Sequence, residues 1–475
     1  MEGGWKGEEG VGEASMEWRV GVWIWCVVAV GTAAWCDGDE FTHRKLGALH
    51  PKSTSNTSSS NSSYAVILDS GSTGTRLHVF HFNQSLNLLY IGDDFEYYYK
   101  VTPGLSSYSS NPEEAAESVM PLLTKAESVI PEESRSVTPL RLGATAGLRS
   151  LDTNTSGLIL QAVRDVVKSN TSFEVESDDA IAILSGNQEG YYLWVTVNYL
   201  LNKLGEEYPN TIGVADLGGG SVQMAYAISE DVAANAPSNA PNGDAYVTKI
   251  YLGGSLYHIY VHSYLNFGKE ASRAEILNLT GDSDNPCILT GFNGTYEYED
   301  VEYRASAPAN GSSFSECRNT VLKLFDFNTT CAHKNCTFGG VWNGGGGPGQ
   351  KQLYLATSFY YLAVQAGFAD PNKTSSEVRL IDYKITAELA CKTTYDEANT
   401  TFPLIDEDVL AYTCMDLVYQ YTLLVDGFGL DPWEVVTVVN QIEYEGSYLD
   451  ASWALGNAIE SISSLSAFKP LMYLA

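Results

Sequence analysis

An apolar run, Tyr64-Ala-Val-Ile-Leu68, ends in a single carboxylate, Asp69, and passes at once into Ser70-Gly-Ser-Thr-Gly-Thr75 and Arg76. The same order returns later in the chain. Thr211-Ile-Gly-Val-Ala215 ends in Asp216 and leads through Leu217 into Gly218-Gly-Gly-Ser221 and then Val222-Gln-Met-Ala-Tyr-Ala-Ile228. Gly71, Gly74, Gly218, Gly219 and Gly220 can present backbone N–H groups and tolerate positive φ. Nests of this kind bind phosphate oxygens, and Ser70, Ser72, Thr73 and Ser221 add hydroxyl donors. Asp69 and Asp216 cannot face phosphates unaided, because like charges repel. A hard cation, Mg²⁺ or Ca²⁺, held between them largely through water resolves the conflict. Arg76 is then either a phosphate clamp or the partner of a loop carboxylate. The plainer alternative is two tight hairpins with solvated Asp residues, which suits one such loop better than two in one chain.

Two further stretches carry usable chemistry. Leu142-Gly-Ala-Thr-Ala-Gly-Leu-Arg149 offers one hydroxyl, Thr145, and one guanidinium among small residues; alternatively it is a packed helix start. Leu184-Ser-Gly-Asn-Gln-Glu-Gly-Tyr191 puts Glu189 at the head of a helix. A helix N-terminus favours an ionised carboxylate, and such a group beside a polyphosphate can take a proton from water. The competing reading is a helix-capping Glu.

These residues need elements to hold them. Tyr64–Asp69 reads as a buried strand, and the alternating Arg76–Phe82 as its hairpin partner. Glu113–Val129 reads as a helix. Tyr191, Tyr192, Val195, Thr196 and Tyr199 share one helical face, so a helix begins near Glu189. Two copies of strand–Asp–loop–strand, a domain's length apart, suggest duplicated lobes that present their loops to a shared cleft. The Gly-rich Val341–Lys351 lacks the G-K-[ST] of a nucleotide P-loop, and Pro348 breaks its spacing, so it is a loop. The run Phe359-Tyr-Tyr361 suits packing better than ligand binding.

Composition bounds the chemistry. The chain has 475 residues, 44% of them apolar, and a formal net charge of −31. Such a surface repels nucleic acid and anionic lipid. A polyphosphate would have to be held by local N–H groups and a cation. Residues 20–34 are apolar and follow Arg19, but fall short of the ~20 residues that a membrane-spanning helix needs. They read as a signal peptide within residues 1–36, with an uncleaved N-terminal membrane anchor as the alternative, and Met16 as a candidate start. Residues 37–63 read as a polar stalk, followed by a first lobe, 64–186, completed by 445–475, and a second, 187–444. N-x-[Ser/Thr] sequons recur from Asn56 to Asn399. Outside Cys26 and Cys36, the cysteines all lie in the second half of the chain, an even set that implies disulfides in an oxidising compartment. Cys331 and Cys336 have no His at zinc spacing. A secreted or cell-surface location is expected, with the Golgi or endoplasmic reticulum lumen as the alternative.

The set resembles the apyrase, or nucleoside triphosphate diphosphohydrolase, family, and within it the plant apyrases. DSGSTGTR (69–76), ATAGLR (144–149), SGNQEG (185–190), DLGGGSVQ (216–223) and WALG (453–456) match the family's short regions in order, and the likeness covers residues 64 to 465. It implies an α/β, two-lobed actin-like (ribonuclease H-like) fold with the active site between the lobes and the C-terminal segment returning to the first. It implies stepwise hydrolysis of nucleoside tri- and diphosphates to the monophosphate, with water attacking the terminal phosphorus and no phosphoenzyme. Glu189 would be the base, Ser221 and Gln223 would help to hold the water, and Thr145 would stand near the point of attack. Asp69 and Asp216 would hold the hydrated Ca²⁺ or Mg²⁺. Ser70, Gly71, Ser72, Thr73, Arg76, Gly218, Gly219 and Gly220 would cradle phosphates. Tyr360 would stack on the base, with Tyr412 opposite. The implied bridges are Cys287–Cys317, Cys331–Cys336 and Cys391–Cys414. Phe292 stands where related plant sequences carry another Cys, and Ser185 where many members carry Asp. A monomer is expected. The rivals are a sugar kinase or chaperone ATPase of the same fold, which the sequons and cysteines disfavour, a carbohydrate- or nucleotide-binding surface protein, and a lumenal nucleoside diphosphatase. A carbohydrate ligand could also coexist with turnover.

Overall fold

The computed structural model describes residues 62–467 apart from 72, 239, 241, 242 and 300. The signal or anchor segment, Met16 and nearly all of the stalk lie outside the described residues, as does Ser72. All that is described belongs to one compact unit, Ser58–Ala475.

Among the described residues sixteen strands, β1 to β16, are numbered in chain order. The first sheet holds β1 (Ser62–Ser70), β2 (Thr75–Asn83), β3 (Glu96–Val101), β4 (Leu140–Ala144) and β5 (Ile181–Ile183) in the order β3-β2-β1-β4-β5. The second holds β6 (Gly213–Leu217), β7 (Ser221–Ile228), β8 (Val247–Leu252), β9 (Ser255–Leu265), β12 (Leu353–Thr357), β13 (Ser375–Arg379) and β14 (Val435–Val439) in the order β13-β14-β12-β6-β7-β9-β8. Two small hairpins complete the set, β10 (Asn293–Tyr298) with β11 (Val301–Ser306), and β15 (Gln441–Tyr444) with β16 (Ser447–Asp450). In each main sheet an antiparallel hairpin, β1–β2 or β6–β7, lies beside parallel strands, β4 and β5 or β12 and β14. The apolar run Ala65–Leu68 is wholly buried, which explains its lack of alternation.

Two helices lie between the sheets: α1 (Gly186–Leu200) and α2 (Trp453–Ala467). One continuous core joins Ile67 and Phe80 of the first sheet, Trp194 and Leu193 of α1, Leu455 and Ile459 of α2, and Val214 and Ile259 of the second sheet. The close crossing of α1 and α2 needs Gly456, since a Cβ there would stand 2.1 Å from the Tyr192 carbonyl oxygen. Its N–H donates to Thr196 Oγ1 at 2.9 Å.

Two boundaries differ from expectation. The helix foreseen over 113–129 is two, Pro112–Ser118 and Met120–Val129. Pro121 has no N–H to continue the first helix's hydrogen bonds, which breaks the ladder there. Helix α1 begins at Gly186, because the Ser185 hydroxyl accepts from the Gln188 N–H and the Gln188 side chain accepts from the Ser185 N–H. Disulfides join Cys287–Cys317, Cys331–Cys336 and Cys391–Cys414. Phe292 instead packs against the rings of Tyr395 and Tyr412.

Candidate active site

The two hairpins are built alike. Asp69 pairs across its hairpin with Arg76, and Asp216 with Gln223. The Gly71 N–H donates to the Gly74 carbonyl at 3.0 Å, and the Gly218 N–H to the Ser221 carbonyl at 3.0 Å. Both turns open on one cavity of about 380 Å³. Its wall includes Asp69, Gly71, Thr73 and Arg76 from the first hairpin, Asp216, Gly218, Gly219, Gly220 and Ser221 from the second, and Thr145 and Glu189.

Glu189 projects from the first turn of α1. Because Gln188 completes the capping box, Glu189 is not the cap, and the capping alternative for it falls away. Its Oε2 accepts from Arg149 Nη2 at 2.5 Å, and the same nitrogen lies 3.4 Å from Ser221 Oγ. Gln223 Nε2 donates to Ser221 Oγ at 2.7 Å and to Ser263 Oγ at 2.9 Å. With Gln223 and Arg149 both donating to Ser221 Oγ, its own hydrogen is free to be given to something in the cavity. Burial pushes the Glu189 carboxyl up to about 7; Arg149 opposes this, while Asp216 and Asp69 add to it.

The Asp pair also carries excess negative charge. Burial raises the Asp69 carboxyl, against the pull of Arg76, whose Nη1 stands 3.5 Å away, and of His78 and the Trp453 indole. Burial pushes Asp216 to about 6, opposed by a hydrogen bond from the Thr357 hydroxyl and reinforced by Asp69. Among the described residues, no group of three His, Cys, Asp or Glu side chains converges to cage an ion. The donor set therefore fits a divalent cation that keeps much of its own water between Asp69 and Asp216.

Several expected residues sit elsewhere. Ser70 is wholly buried and off the cavity, because alternation along β1 turns it away from the Asp69 face. Its hydroxyl accepts from Thr75, and its carbonyl from the Thr145 N–H. Gln223 is behind the wall and touches the cavity only through Ser221. Tyr360 and Tyr412 also lie away from the wall. Tyr360 is 8% exposed and donates to the Lys373 carbonyl; Tyr412 is 3% exposed, beside Arg273 and donating to the Thr295 carbonyl. Neither lines the cavity. On the helix Ser358–Gln365 the spacing of i and i+3 brings Ser358 and Tyr361 to the wall and turns Tyr360 into the core.

Other residues enter to which the sequence assigned no part in the site. Arg149 closes the ATAGLR motif but received no role. Thr357 holds Asp216 from a left-handed backbone, φ 60°, costly for a β-branched residue. Tyr361 is 47% exposed on the wall and bonded to Asn440. His78 lines the wall with Nδ1 on Glu96. Only Arg149 had a local signal, its place four residues after Thr145.

Comparison with known proteins follows the same lines. A nucleoside-triphosphatase of Pisum sativum is 54% identical over 413 residues, 87% of this chain and 90% of that protein. Apyrase 1 of Arabidopsis thaliana is 49% identical over 402 residues, 84% of this chain and 85% of that protein. A crystal structure of nucleoside triphosphate hydrolases from Neospora caninum superposes with a TM-score of 0.57 at 13% identity, over 86% of this chain and 93% of that one, and so shares the fold. The model of the GDA1/CD39 (nucleoside phosphatase) family matches residues 55–473, and with an actin-like α/β fold and two matched Asp-bearing hairpins this chain belongs to that family.

Proposed function

We propose that this protein is an apyrase: it hydrolyses nucleoside tri- and diphosphates to the monophosphate, releasing inorganic phosphate at each step. The observation that carries the reading is the ionisable Glu189 on the wall of a cavity that also presents both glycine-rich turns and the Ser221 hydroxyl. The related proteins bear the names nucleoside-triphosphatase and apyrase.

Enzymes of this family depend on a divalent cation; Asp69 and Asp216 would hold it here, and Ca²⁺ and Mg²⁺ both suit their oxygen donors. When bound, it supplies charge neutralisation of the phosphate chain. The chain's own residues do the rest. The N–H groups of the two turns, with Thr73, Arg76 and Thr145, hold phosphate oxygens. Ser221, kept in place by Gln223, donates to the oxygen of a water. Glu189 takes a proton from that water as its oxygen bonds to the terminal phosphorus. The bridging P–O bond breaks, and its electron pair leaves on the departing nucleotide's oxygen. A carboxylate with a midpoint of about 7 suits the task, since about half of it is ionised at neutral pH and it is basic enough to accept a proton.

The two lobes would be those carrying the first and second sheets, 64–186 with 445–475, and 187–444. The sequons and disulfides support a secreted or cell-surface location, with the chain cleaved from its signal or held by it as an anchor and acting as a monomer on this proposal; a lumenal location is the alternative. A carbohydrate ligand remains compatible with this reading. Phosphate release from ATP, ADP and AMP by the purified protein, with Ca²⁺, Mg²⁺ or EDTA, is the test. Metal-dependent release from ATP and ADP, with AMP inert, is expected. Release from neither substrate in folded protein would overturn the reading, and the ATP:ADP ratio separates an apyrase from a nucleoside diphosphatase.

A further inference from the structure

The cavity wall carries five carboxylates, Asp69, Glu189, Asp216, Glu270 and Asp450, in a chain of net charge −31. A phosphate chain entering it needs compensating positive charge. Most cationic groups near the wall are already committed. Arg76 lies 3.5 Å from Asp69, Arg149 is bonded to Glu189, and His78 to Glu96. Lys269 also lines the cavity and has no carboxylate partner among the described residues.

Its backbone is fixed against the second turn. The Lys269 N–H donates to the Gly218 carbonyl at 2.8 Å, and the Glu270 N–H to the Gly219 carbonyl at 2.9 Å. These bonds start the helix Lys269–Asn278 on the carbonyl side of the loop, which leaves the loop's other groups to the cavity. The approach is so close that position 268 must be glycine: a Cβ there would stand 2.3 Å from the Gly219 oxygen and 2.4 Å from the Ser221 nitrogen. A backbone this tightly seated puts the root of the Lys269 side chain beside Gly218–Ser221, the turn whose Ser221 is joined through Arg149 to Glu189.

We infer that the Lys269 ammonium contacts the terminal phosphoryl group and is a catalytic residue of the hydrolysis. This rests on the reading of the site as a nucleotide hydrolase. In the transition state negative charge spreads over the equatorial oxygens of the transferred group, and a fixed cation there stabilises it more than the bound substrate. An ammonium with no partner serves this better than Arg76 or Arg149, since no existing ion pair has to break.

The test is steady-state kinetics of K269M, K269Q and K269R beside the wild type, with ATP and ADP at saturating metal and with a thermal melt of each variant. K269M should lose about 10²-fold in kcat with both substrates, the range for one lost donor to developing charge, with a smaller change in KM. K269R should recover part of the loss, because it returns the charge. K269Q, which keeps most of the stem's packing, replaces K269M if that variant melts at the assay temperature, and the same loss is expected of it. Wild-type kcat in the folded neutral variant overturns the assignment, as does an equal loss in K269R and K269M. A wild-type protein inert toward both nucleotides overturns the hydrolase reading itself, a separate outcome.

Discussion

The β1–β2 and β6–β7 hairpins share a register, a turn hydrogen bond and an Asp at the same place, and differ in what faces that Asp across the ladder. Asp69 meets a cation, Arg76; Asp216 meets a neutral amide, Gln223. The consequences diverge. Arg76 draws down the carboxyl that burial raises at Asp69. Gln223 turns its amide from Asp216 to Ser221 and Ser263, and Asp216 is held by Thr357, from another strand. One backbone device thus serves two ends in the proposed mechanism: the first hairpin would manage the charge of phosphate and cation, and the second would aim a hydroxyl at the water beside Glu189. A glycine-rich turn sets where N–H groups point, but the residue opposite the carboxylate sets which chemistry the hairpin does.

The largest effect should come from Glu189, toward which the second hairpin is aimed. E189Q keeps the shape but cannot accept a proton, so phosphate release should fall by ~10²-fold or more while nucleotide binding, followed by calorimetry, persists. Near-normal turnover would remove Glu189 as the base. Next, the two hairpins should separate in kinetics. Q223L leaves Ser221 without one of its donors and should lower kcat by about tenfold with KM little changed. R76Q removes a charge that faces bound phosphate and should act mainly on KM, by about tenfold. If both variants change the same parameter, the division of labour is wrong. The smallest effect is in pH dependence. Glu189 works only when ionised, so kcat/KM should rise with pH through its midpoint, about 7 before a bound cation offsets Asp69 and Asp216 and draws it lower. Arg149 favours the charged form; R149M should therefore move the acid limb to higher pH by roughly one unit. A limb that stays in place would limit Arg149 to packing.

Much of this was legible because the signals are local. Alternation and apolar runs mark β1, β2, β6 and β7, and a carboxylate followed by glycines marks each turn. Glu189 could be named without its partners, but its role as base or cap could not be separated until Ser185 and Gln188 were seen to complete the cap. The placement of the aromatic residues was not legible for a related reason. The run Phe359-Tyr-Tyr361 reads as packing and the resemblance implies a stacking role for Tyr360, but neither says which of two adjacent rings faces the cavity, and a helix turns adjacent residues about 100° apart. One entered the core and the other reached the wall. Arg149, Thr357 and Lys269 make their contacts with residues 40 or more positions away, and no local pattern encodes those contacts.

By itself, the sequence determined the elements and the reactive groups: two strand–Asp–turn–strand units, a helix headed by Glu189, an acidic chain that needs a cation to accept polyphosphate, and cysteines suited to an oxidising compartment. Those follow from backbone geometry and side-chain chemistry within short windows. The tertiary structure decided which groups meet. It crossed α1 over α2 at Gly456, brought both turns to one cavity, paired Arg149 with Glu189, buried Ser70 and Tyr360, and left the Lys269 side chain without a carboxylate partner among the described residues. Such choices depend on packing between segments far apart in the chain, where the cost of burying a charge or a polar group is settled by whatever the fold sets beside it.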